Sequence, residues 1–376
     1  MSSLVVEPVF SWWQRRQFLH LPWDIYRGNP YWIPPLRGSQ KQMLNYTKSP
    51  FYLDAEIQTL LATRRGKPVG RIAAIVNHAH NRRFQEMRGF CGFFECEDKQ
   101  ETAAALFDAA KAWLAARGMT TLRGPASPSL NHECGLLVDG FDASPTFMNT
   151  YNPPYYQRLF EEYGFHKSQD MYAFYGGIDQ LAQVAKNLEA LTQDCQRRFD
   201  IRLRPMSTKH FIEDVRLFLE VFNQSFDDVW GFVPMSAAET EHMAHDLKAL
   251  IVPELTSIAE INGEAVGAVF ALLDYNPRIK LIDGRLFPFG FIRLLSNKKA
   301  IKRIRVISAN ITPKYQKWGV GLLVVSRLLP AVQAWGIQNV EFSWVLESNS
   351  LSFKTLERIG AKITKTYRMF DADLHP

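Results

Sequence analysis

The same order of turns and short elements occurs twice along the chain, and this repetition constrains the fold more than any other feature. Each half has a short strand ending in proline, a Val-Gly turn opening a β-rich run, and a helix closing on glycine. The anchors are Pro8, Val69 and Gly164 in the first half and Pro205, Val266 and Gly360 in the second. The first spacing is 61 residues in both halves, and the second is 95 and 94. Three anchors kept in register predict a duplicated domain.

The repeat predicts two tandem domains of mixed α/β structure. A chain of 376 residues fits two domains of ordinary size. We expect the first domain at residues 1–178 and the second at residues 200–376. Between them, residues 179–199 have apolar positions at helical spacing and predict a connecting helix.

The halves differ in the position of their extra residues. Each has a further helix ending at glycine, Gly118 or Gly336, which lies 49 residues after the Val-Gly turn in the first half and 70 in the second. The second half therefore holds about twenty extra residues before that glycine, including a basic segment. The first half carries its own insertion at about residues 127–148.

The net charge of +6 is concentrated in that basic segment. From Arg278 to Arg305 there are nine basic residues and one acid, so the segment carries +8 and the rest of the chain −2. A general nucleic-acid-binding protein would spread its charge over a wider face, so we expect no nucleic-acid partner.

The composition is typical of a globular protein, with 47% hydrophobic and 22% charged residues. No apolar run approaches the roughly 18 residues of a spanning helix, and no export signal is evident. The four cysteines fall at no zinc or redox spacing. The histidine pairs, His78 with His80 and His242 with His245, lack a cysteine or carboxylate framework. We therefore expect a cytoplasmic protein without a metal.

A strand, a glycine turn and a helix follow one another in the second half. Residues 304–311 predict a buried strand, and Gln-Lys-Trp-Gly-Val-Gly at 316–321 leads into an apolar helix at 322–335. Such a turn presents backbone N–H groups to an anion, and glycines let the anion approach. Val324 stands where a dinucleotide fingerprint needs its third glycine, and the Gly-Lys-Ser/Thr of a Walker loop is missing. A Rossmann dehydrogenase and a P-loop NTPase are therefore disfavoured.

The glycine turn resembles the Gln/Arg-x-x-Gly-x-Gly/Ala pyrophosphate loop of the GNAT superfamily of acyl-CoA-dependent N-acyltransferases. Asn349, with Ser352 and Gly360 after it, is similar to the family's Asn-x-x-Ala…Gly-Phe segment. The resemblance covers residues 201–374 directly and 4–175 through the repeat. It implies two tandem GNAT folds and acyl-CoA as co-substrate. The cofactor-binding residues that it implies are Ile311, Gln316, Lys317, Trp318, Gly319, Val320, Gly321, Asn349 and Ser352.

The first half departs from this pattern. Residues 96–101 stand where its pyrophosphate loop should lie, and they contain no glycine. Their three carboxylates, Glu97, Asp98 and Glu101, would repel a diphosphate. We therefore expect the first half to be a degenerate copy that supplies substrate contacts and rigidity.

The family mechanism is direct attack of an amine on a thioester held between two splayed strands. An alkylammonium has a pKa near 10, so a base must remove its proton. Glu347, at the end of an apolar strand, is our preferred base, although it would equally suit a solvated helix cap. Asp283, in the basic segment, is the second choice. Many family members have an acidic tyrosine seven residues after the equivalent of Asn349, where this chain has Leu356. Tyr367 would replace it as the acid, or the thiolate leaves unaided.

Two polar and aromatic segments of the first half are candidates for the wall of the substrate site. His132 with Glu133 would relay a proton in that case, but a turn-rich loop with satisfied hydrogen bonds explains the same residues. We interpret the aromatic turn at residues 151–156 first as core packing and second as a wall of the substrate site. The candidate substrate-binding residues are Asn131, His132, Glu133, Tyr151, Asn152 and Tyr155.

Residues 285–303 mix bulky apolar side chains with clustered cations. Near an anionic membrane each such cation gains about 1 kcal/mol, and aromatic rings insert at the interface. We expect peripheral contact with the inner face of the cell membrane and a long, apolar acyl chain or amine. A solvated basic hairpin is the alternative. Bacterial ceramide synthases, which resemble GNAT-type proteins and N-acylate a sphingoid base, then become the specific candidate.

Two other functional classes stay open. The missing tyrosine favours a non-catalytic acyl-CoA-binding or regulatory protein. A peptidoglycan-type (FemABX-type) aminoacyl transferase also has paired GNAT-like folds and would depend on tRNA. The intact glycine loop argues against the second class.

Overall fold

A computed structural model of the chain describes residues 4–187, 189–226 and 229–374. The chain forms two compact units, and both are discontinuous in sequence. Unit 1 comprises Met1–Met171, Asn276–Phe291 and Lys365–Pro376. Unit 2 comprises Tyr172–Tyr275 and Ile292–Thr364. Two segments of the expected second domain therefore belong to unit 1.

Strands and helices alternate in both units. The strands are β1 (Leu4–Pro8), β2 (Ala55–Arg64), β3 (Lys67–Asn77), β4 (Arg88–Cys96), β5 (Thr121–Gly124), β6 (Ala126–Ser127), β7 (Glu133–Cys134), β8 (Leu136–Asp139), β9 (His166–Gly177), β10 (Arg202–Arg204), β11 (Thr256–Ile261), β12 (Glu264–Leu273), β13 (Arg303–Ile311), β14 (Asn339–Leu346) and β15 (Lys362–Asp373). The α-helices are α1 (Trp12–Ile25), α2 (Arg37–Met43), α3 (His78–Phe84), α4 (Gln100–Ala115), α5 (Tyr155–Tyr163), α6 (Ile178–Asn187), α7 (Glu189–Phe199), α8 (Phe211–Ser225), α9 (Ala237–Leu247), α10 (Asn276–Leu281), α11 (Gly290–Leu295), α12 (Val320–Ser326), α13 (Leu328–Ala334) and α14 (Ser350–Arg358). Short 3₁₀ helices cover Pro50–Leu53, Pro253–Leu255, Lys298–Ala300 and Pro313–Trp318.

The sheet strands of the two units follow the same plan. Unit 1 has the order β1-β2-β3-β4-β5-β15, and β8 also pairs with β15. Unit 2 has the order β10-β11-β12-β13-β14-β9. In each unit the first four strands of the order pair antiparallel, and one parallel pair follows, β4–β5 in unit 1 and β13–β14 in unit 2. Strands β9 and β15 each contribute residues to both units.

The predicted repeat is confirmed down to single hydrogen bonds. The Glu97 N–H donates to Val69 O at 2.9 Å in unit 1, and the Thr312 N–H donates to Val266 O at 2.9 Å in unit 2. Gly70, which follows Val69, lies opposite Cys96, the last residue of β4. Gly267, which follows Val266, lies opposite Ile311, the last residue of β13. These contacts establish Glu97 and Thr312 as equivalent positions.

Crowding explains why a glycine follows each of these valines. A Cβ atom on Gly70 would lie 2.7 Å from Leu106 Cδ1, and one on Gly267 would lie 2.8 Å from Ile311 Cδ1. The helix-ending glycines predicted from the sequence also adopt the left-handed conformation, with φ of +103° at Gly164 and +76° at Gly360.

The connecting segment predicted at residues 179–199 is helical wherever the structure describes it. Helix α6 ends at Asn187 and helix α7 begins at Glu189, and residue 188 lies outside the described residues. Both helices belong to unit 2.

Aromatic rings dominate the core of unit 1. Phe94, Phe107 and Phe160 contact one another with ring centroids 4.9–5.2 Å apart, between helices α4 and α5 and the sheet. In unit 2, α14 packs Leu356 against Phe174 and Val345 of the neighbouring strands. Burying aromatic and aliphatic side chains in this way is the main source of stability of each unit.

Candidate functional site

The predicted pyrophosphate loop lies between β13 and α12 in unit 2. The chain leaves β13 at Ile311, passes through a 3₁₀ turn and reaches Gly319, whose φ of +82° favours glycine. The Gln316 side-chain amide donates to Ile311 O at 3.1 Å and holds the turn against the strand. The first bond of α12 runs from Leu323 N to Gly319 O at 3.1 Å. The helix itself therefore has no acceptors for the N–H groups of its first turn.

Protein atoms leave space around the loop's glycines. A Cβ on Gly319 would meet nothing closer than Cys195 Sγ at 4.0 Å, and one on Gly321 would lie 3.7 Å from Ile311 Cγ1. Packing within the protein therefore does not require a small residue at position 321. A glycine there leaves the backbone accessible to a ligand that approaches closely, as a diphosphate does.

Helix α7 adds residues to this loop that the sequence did not predict. The Arg198 guanidinium lies 4.6 Å from the ring centroid of Trp318, and Phe199 packs edge-on against the same ring. Arg198 is thus an exposed cation beside a turn suited to an anion. Val320 is buried under the turn, and the side chain of Lys317 lies outside the described residues. Position 198 is too far from the loop in sequence for any motif to have linked them.

Strands β13 and β14 separate beside the loop. They pair in parallel from Arg303 opposite Asn339 to Val306 opposite Phe342, and no further. Beyond that point the two strands no longer pair with each other, although β13 still pairs with β12, and this leaves a gap between β13 and β14. The resemblance predicted this splayed geometry as the place of a thioester.

A buried polar cluster holds the two strands together just before the gap. Arg305, only 3% exposed, donates to Ser343 Oγ at 2.8 Å and to Ser343 O at 3.1 Å. The Ser343 hydroxyl donates in turn to Glu341 Oε1 at 2.7 Å. Arg305 is the last residue of the basic segment counted along the sequence, and its side chain is buried.

Three predicted residues lie after β14. Glu347 is exposed in the turn that follows the strand. The Asn349 side-chain oxygen accepts a hydrogen bond from the Ser352 N–H at 3.1 Å and caps α14. Asn349 therefore has a structural function whether or not it also contacts a cofactor.

In unit 1 the equivalent loop is closed by side chains. Glu97 accepts a hydrogen bond from the Thr102 hydroxyl at 2.8 Å and forms ion pairs with Arg64 and Lys99. The Glu97 carboxylate thus lies at the N-terminus of α4, where a negative charge is favourable. In the degenerate copy, a side chain supplies the anion that a diphosphate would supply in unit 2.

The strand gap of unit 1 is also filled. Strands β4 and β5 pair only as far as Phe90 opposite Arg123. Beyond that point the Ser127 hydroxyl accepts a hydrogen bond from Phe93 N at 2.8 Å. A Cβ on Gly92 would lie 1.8 Å from Ala126 O. The start of the insertion predicted at 127–148 therefore occupies the gap.

The other candidates in this insertion form a tight turn. The Ser129 hydroxyl lies 2.8 Å from His132 Nδ1 and accepts a hydrogen bond from the Asn131 N–H at 3.2 Å. Burial lowers the pKa of His132 to about 4, so the ring is neutral at pH 7. Glu133 lies in β7, opposite Ser127. The proton relay between His132 and Glu133 stays a prediction.

The aromatic turn packs within unit 1. The Asn152 side chain accepts from Leu137 N at 2.7 Å and donates to Leu137 O at 3.1 Å. The Tyr155 hydroxyl donates to Cys96 O at 2.6 Å, and the Tyr151 hydroxyl donates to Phe141 O at 3.2 Å. These bonds agree with the core-packing interpretation of the turn.

The two remaining catalytic candidates, Asp283 and Tyr367, belong to unit 1, whereas the glycine loop belongs to unit 2. The Asp283 carboxylate accepts from Trp23 Nε1 at 2.5 Å and from Arg37 Nη2 at 2.6 Å. It thereby attaches the segment Asn276–Phe291 to α1 and α2. Tyr367 is fully buried in β15, opposite Leu137. The described residues contain no group of three or more His, Cys, Asp or Glu side chains placed to hold a metal ion.

Unit 1 exposes an aromatic patch on two neighbouring segments. The patch consists of Phe10, Trp12, Trp13, Leu281, Phe287 and Phe289, which are 53–81% exposed. Burial and the positive charges of Arg37, Arg16 and Arg285 lower the pKa of His20, so cations of both segments surround this part of α1. In the described ranges, no helix has the length and hydropathy needed to cross a bilayer.

No family model matches the chain. Two bacterial proteins, however, match it over nearly the whole length. It is 33% identical over 386 residues to the bacterial ceramide synthase of Caulobacter vibrioides (strain NA1000 / CB15N), covering 99% of this chain and 98% of that protein. It is 32% identical over 365 residues to Protein YghO of Escherichia coli (strain K12), covering 96% and 93%.

Solved structures share the fold at much lower sequence identity. A tandem GNAT protein from the clavulanic acid biosynthesis pathway aligns with a TM-score of 0.57 and 10% identity, covering 100% of this chain and 99% of its own. The GCN5-related glucosamine N-acetyltransferase region of a fungal β-N-acetylglucosaminidase aligns with a TM-score of 0.60 and 13% identity, covering 99% of this chain and 38% of its own. The chain therefore has the tandem GNAT fold and belongs to the family of the Caulobacter bacterial ceramide synthase and YghO.

Proposed function

We propose that this protein transfers an acyl group from a coenzyme A thioester to the nitrogen of a lipid amine such as a sphingoid base. The observation that carries the proposal is the glycine loop of unit 2, which lies beside a gap between two parallel strands. The family relationship supports acyl transfer, and the name of the Caulobacter relative supports a sphingoid acceptor.

Coenzyme A would bind with its diphosphate at Gly319 and Gly321, with Arg198 nearby. The thioester would enter the gap between β13 and β14, where backbone N–H groups unpaired with a neighbouring strand would stabilise the oxyanion. Glu347, after the end of β14, would take the proton of the amine. Unit 1 would bind no coenzyme A, because Glu97 and the chain at Ala126 occupy the equivalent positions.

Gly319→Glu tests the cofactor site. The substitution places a negative charge where the diphosphate would bind, and losing two charged hydrogen bonds is expected to raise the Kd for coenzyme A at least about 100-fold. Gly263→Glu is the matched control, because Gly263 has the same φ of +82° and nothing within 4 Å of a Cβ. Calorimetric titration with coenzyme A measures both variants. Equal affinities in the two variants would reject the assignment.

Glu347→Gln tests the base. We expect kcat for acyl transfer to fall by about 10²-fold, because general-base catalysis contributes 10²–10⁴-fold. The Kd for coenzyme A should stay unchanged, since the substitution keeps the shape of the side chain. Single-turnover assays with palmitoyl-CoA and sphinganine measure this, and unchanged turnover would remove Glu347 from the mechanism.

A non-catalytic acyl-CoA-binding protein is the second candidate function. It is favoured by Leu356, which is buried in the position of the usual tyrosine and supplies no acid. The same titration and turnover measurements separate the two functions. Binding of coenzyme A without transfer to any amine would select the second.

The aromatic patch of unit 1 supports a lipid acceptor. Six large apolar side chains lie exposed beside Arg16 and Arg285, which is the combination that binds anionic interfaces. We propose that this patch contacts the membrane from which the amine is taken. The patch shares Phe287 and Phe289 with the segment predicted from the sequence, residues 285–303, whereas residues 292–303 of that segment belong to unit 2.

A further inference from the structure

Strand β13 carries two side chains whose buried polar atoms have no hydrogen-bond partner among the described residues. Asn310 is 1% exposed, and neither its amide nitrogen nor its amide oxygen has a partner among the described residues. The Ser308 hydroxyl oxygen is also buried and has no hydrogen-bond partner among the described residues. Both residues follow Val306, the point at which β13 stops pairing with β14. Buried polar groups in native proteins nearly always have a partner, so this pair requires an explanation.

The register of the strands shows which way these side chains point. Ile311 lies opposite Gly267, whose Cα faces Val320 and Val324 of α12. Ser308 lies opposite Phe270, and the Phe270 ring contacts Phe218 of α8. Because side chains alternate along a strand, Asn310 lies on the opposite face from Ile311, with Ser308. The pair therefore faces α8, away from the helix that follows the glycine loop.

Helix α8 adds a third polar atom without a partner. The Asn223 side-chain oxygen is buried and accepts no hydrogen bond in the described part of the chain. It lies one turn after Leu219, a buried residue on the side of α8 that packs on the sheet. All three side chains are uncharged, and together they offer both donors and acceptors.

We propose that Ser308 and Asn310 bind a hydroxyl group of the acceptor, which would then be an amino alcohol. This inference rests on the proposed acyl transfer. A hydroxyl both donates and accepts hydrogen bonds, as these side chains require, and it needs no counter-ion. Coenzyme A would enter the strand gap from the α12 side and the amino alcohol from the α8 side, so that amine and thioester meet between the strands.

Asn310→Leu and Ser308→Ala test the site against a matched control. Ser257 also has a buried hydroxyl without a partner, but it lies opposite Val269 and therefore on the α12 face. Rates are measured with palmitoyl-CoA and either sphinganine or octadecylamine, which has the same chain length and no hydroxyl. We expect the two variants to lose about tenfold in kcat/KM for sphinganine and nothing for octadecylamine. Ser257→Ala should match the parent on both amines.

Two further measurements keep the outcome decisive. The midpoint of thermal unfolding of Asn310→Leu should equal or exceed that of the parent, since the change removes an unpaired amide from the interior. Calorimetric titration with sphinganine compares the affinities of the parent and of Asn310→Leu. It tests the binding site even if the protein shows no turnover. If the parent binds sphinganine but transfers no acyl group, the proposed function fails and the binding site stands. Equal sphinganine affinity in parent and Asn310→Leu would overturn the site.

Discussion

Asp283 and Arg305 come from the same charged segment, and both side chains are held by hydrogen bonds to other parts of the chain. Asp283 joins its segment to Trp23 and Arg37, and Arg305 joins β13 to β14 through Ser343. A buried arginine is tolerated because its donors are met by fixed acceptors. The charge that reaches the surface is therefore smaller than the +8 counted along the sequence.

His80 gives a test at the scale of one residue. Burial lowers its pKa from 6.5 to about 4, while the nearby Glu86 opposes the shift. Between pH 4 and pH 6.5 the unfolded chain therefore binds more protons than the folded one, so stability is lost as the pH falls through this range. The contribution is at most about 3 kcal/mol.

We expect His80→Phe to remove this dependence, because phenylalanine suits the ring contacts with Phe84 and Phe90 and does not titrate. Urea unfolding of parent and variant at pH 4.5, 5.5 and 6.5 measures the difference. Parallel pH profiles for the two proteins would contradict the argument.

At the scale of elements, the segment Asn276–Phe291 depends on close contact with the chain around the start of α2 and with Pro145. The Arg37 N–H donates to Gly284 O at 3.1 Å, and the Lys280 ammonium donates to Pro30 O. Asn276 Nδ2 donates to Pro145 O at 2.7 Å. These bonds explain why residues inserted into the second repeat belong to unit 1.

Gly284→Ala should disrupt this contact. A Cβ there would lie 2.1 Å from Pro35 O, and the φ of +66° adds strain, so we expect a loss of at least about 3 kcal/mol in the free energy of unfolding. Gly28→Ala is the control, because φ is +82° but nothing lies within 4 Å of its Cβ. The control should lose only about 1 kcal/mol. Similar losses in chemical denaturation would show that the contact with Pro35 is unimportant.

At the scale of the whole molecule, the two repeats differ at the glycine loop and at the strand gap. Unit 2 keeps an open glycine loop and an open strand gap, whereas unit 1 fills both with its own chain. Filling them gains hydrogen bonds and packing for unit 1. Unit 1 instead exposes the large apolar side chains of the aromatic patch.

Vesicle binding tests the patch in the intact protein. We expect the parent to sediment with phosphatidylglycerol vesicles, less so at high salt, and not with phosphatidylcholine vesicles. Replacing Trp12, Trp13, Phe287 and Phe289 by serine should weaken binding at least about tenfold. Leu351→Ser, an exposed apolar residue of unit 2, is the control. Equal sedimentation of the fourfold variant and the control would exclude the patch as the membrane contact.

The sequence alone was enough for the duplicated fold and the glycine loop. Both depend on backbone conformations that require glycine at particular positions, and these glycines are visible in the sequence. Examples are Gly319, with its left-handed φ, and Gly267, where a Cβ would be crowded. The tandem GNAT fold expected from them is confirmed by the comparisons. The end of β14 and the helix after it were also evident, because Asn349 is a typical helix cap.

Only the tertiary structure revealed the rest. The proposed roles of Arg198, Ser308 and Asn310 depend on neighbours that are remote in sequence. No local sequence pattern shows that a polar side chain lacks a hydrogen-bond partner. The assignment of Asn276–Phe291 to unit 1 depends on contacts with residues some 250 positions earlier, such as Lys280 with Pro30. The sequence determined which backbone shapes each repeat must adopt, since those are set residue by residue. The tertiary structure decided whether each loop and each strand gap is filled. This depends on packing, because another part of the chain must lie in the gap to close it.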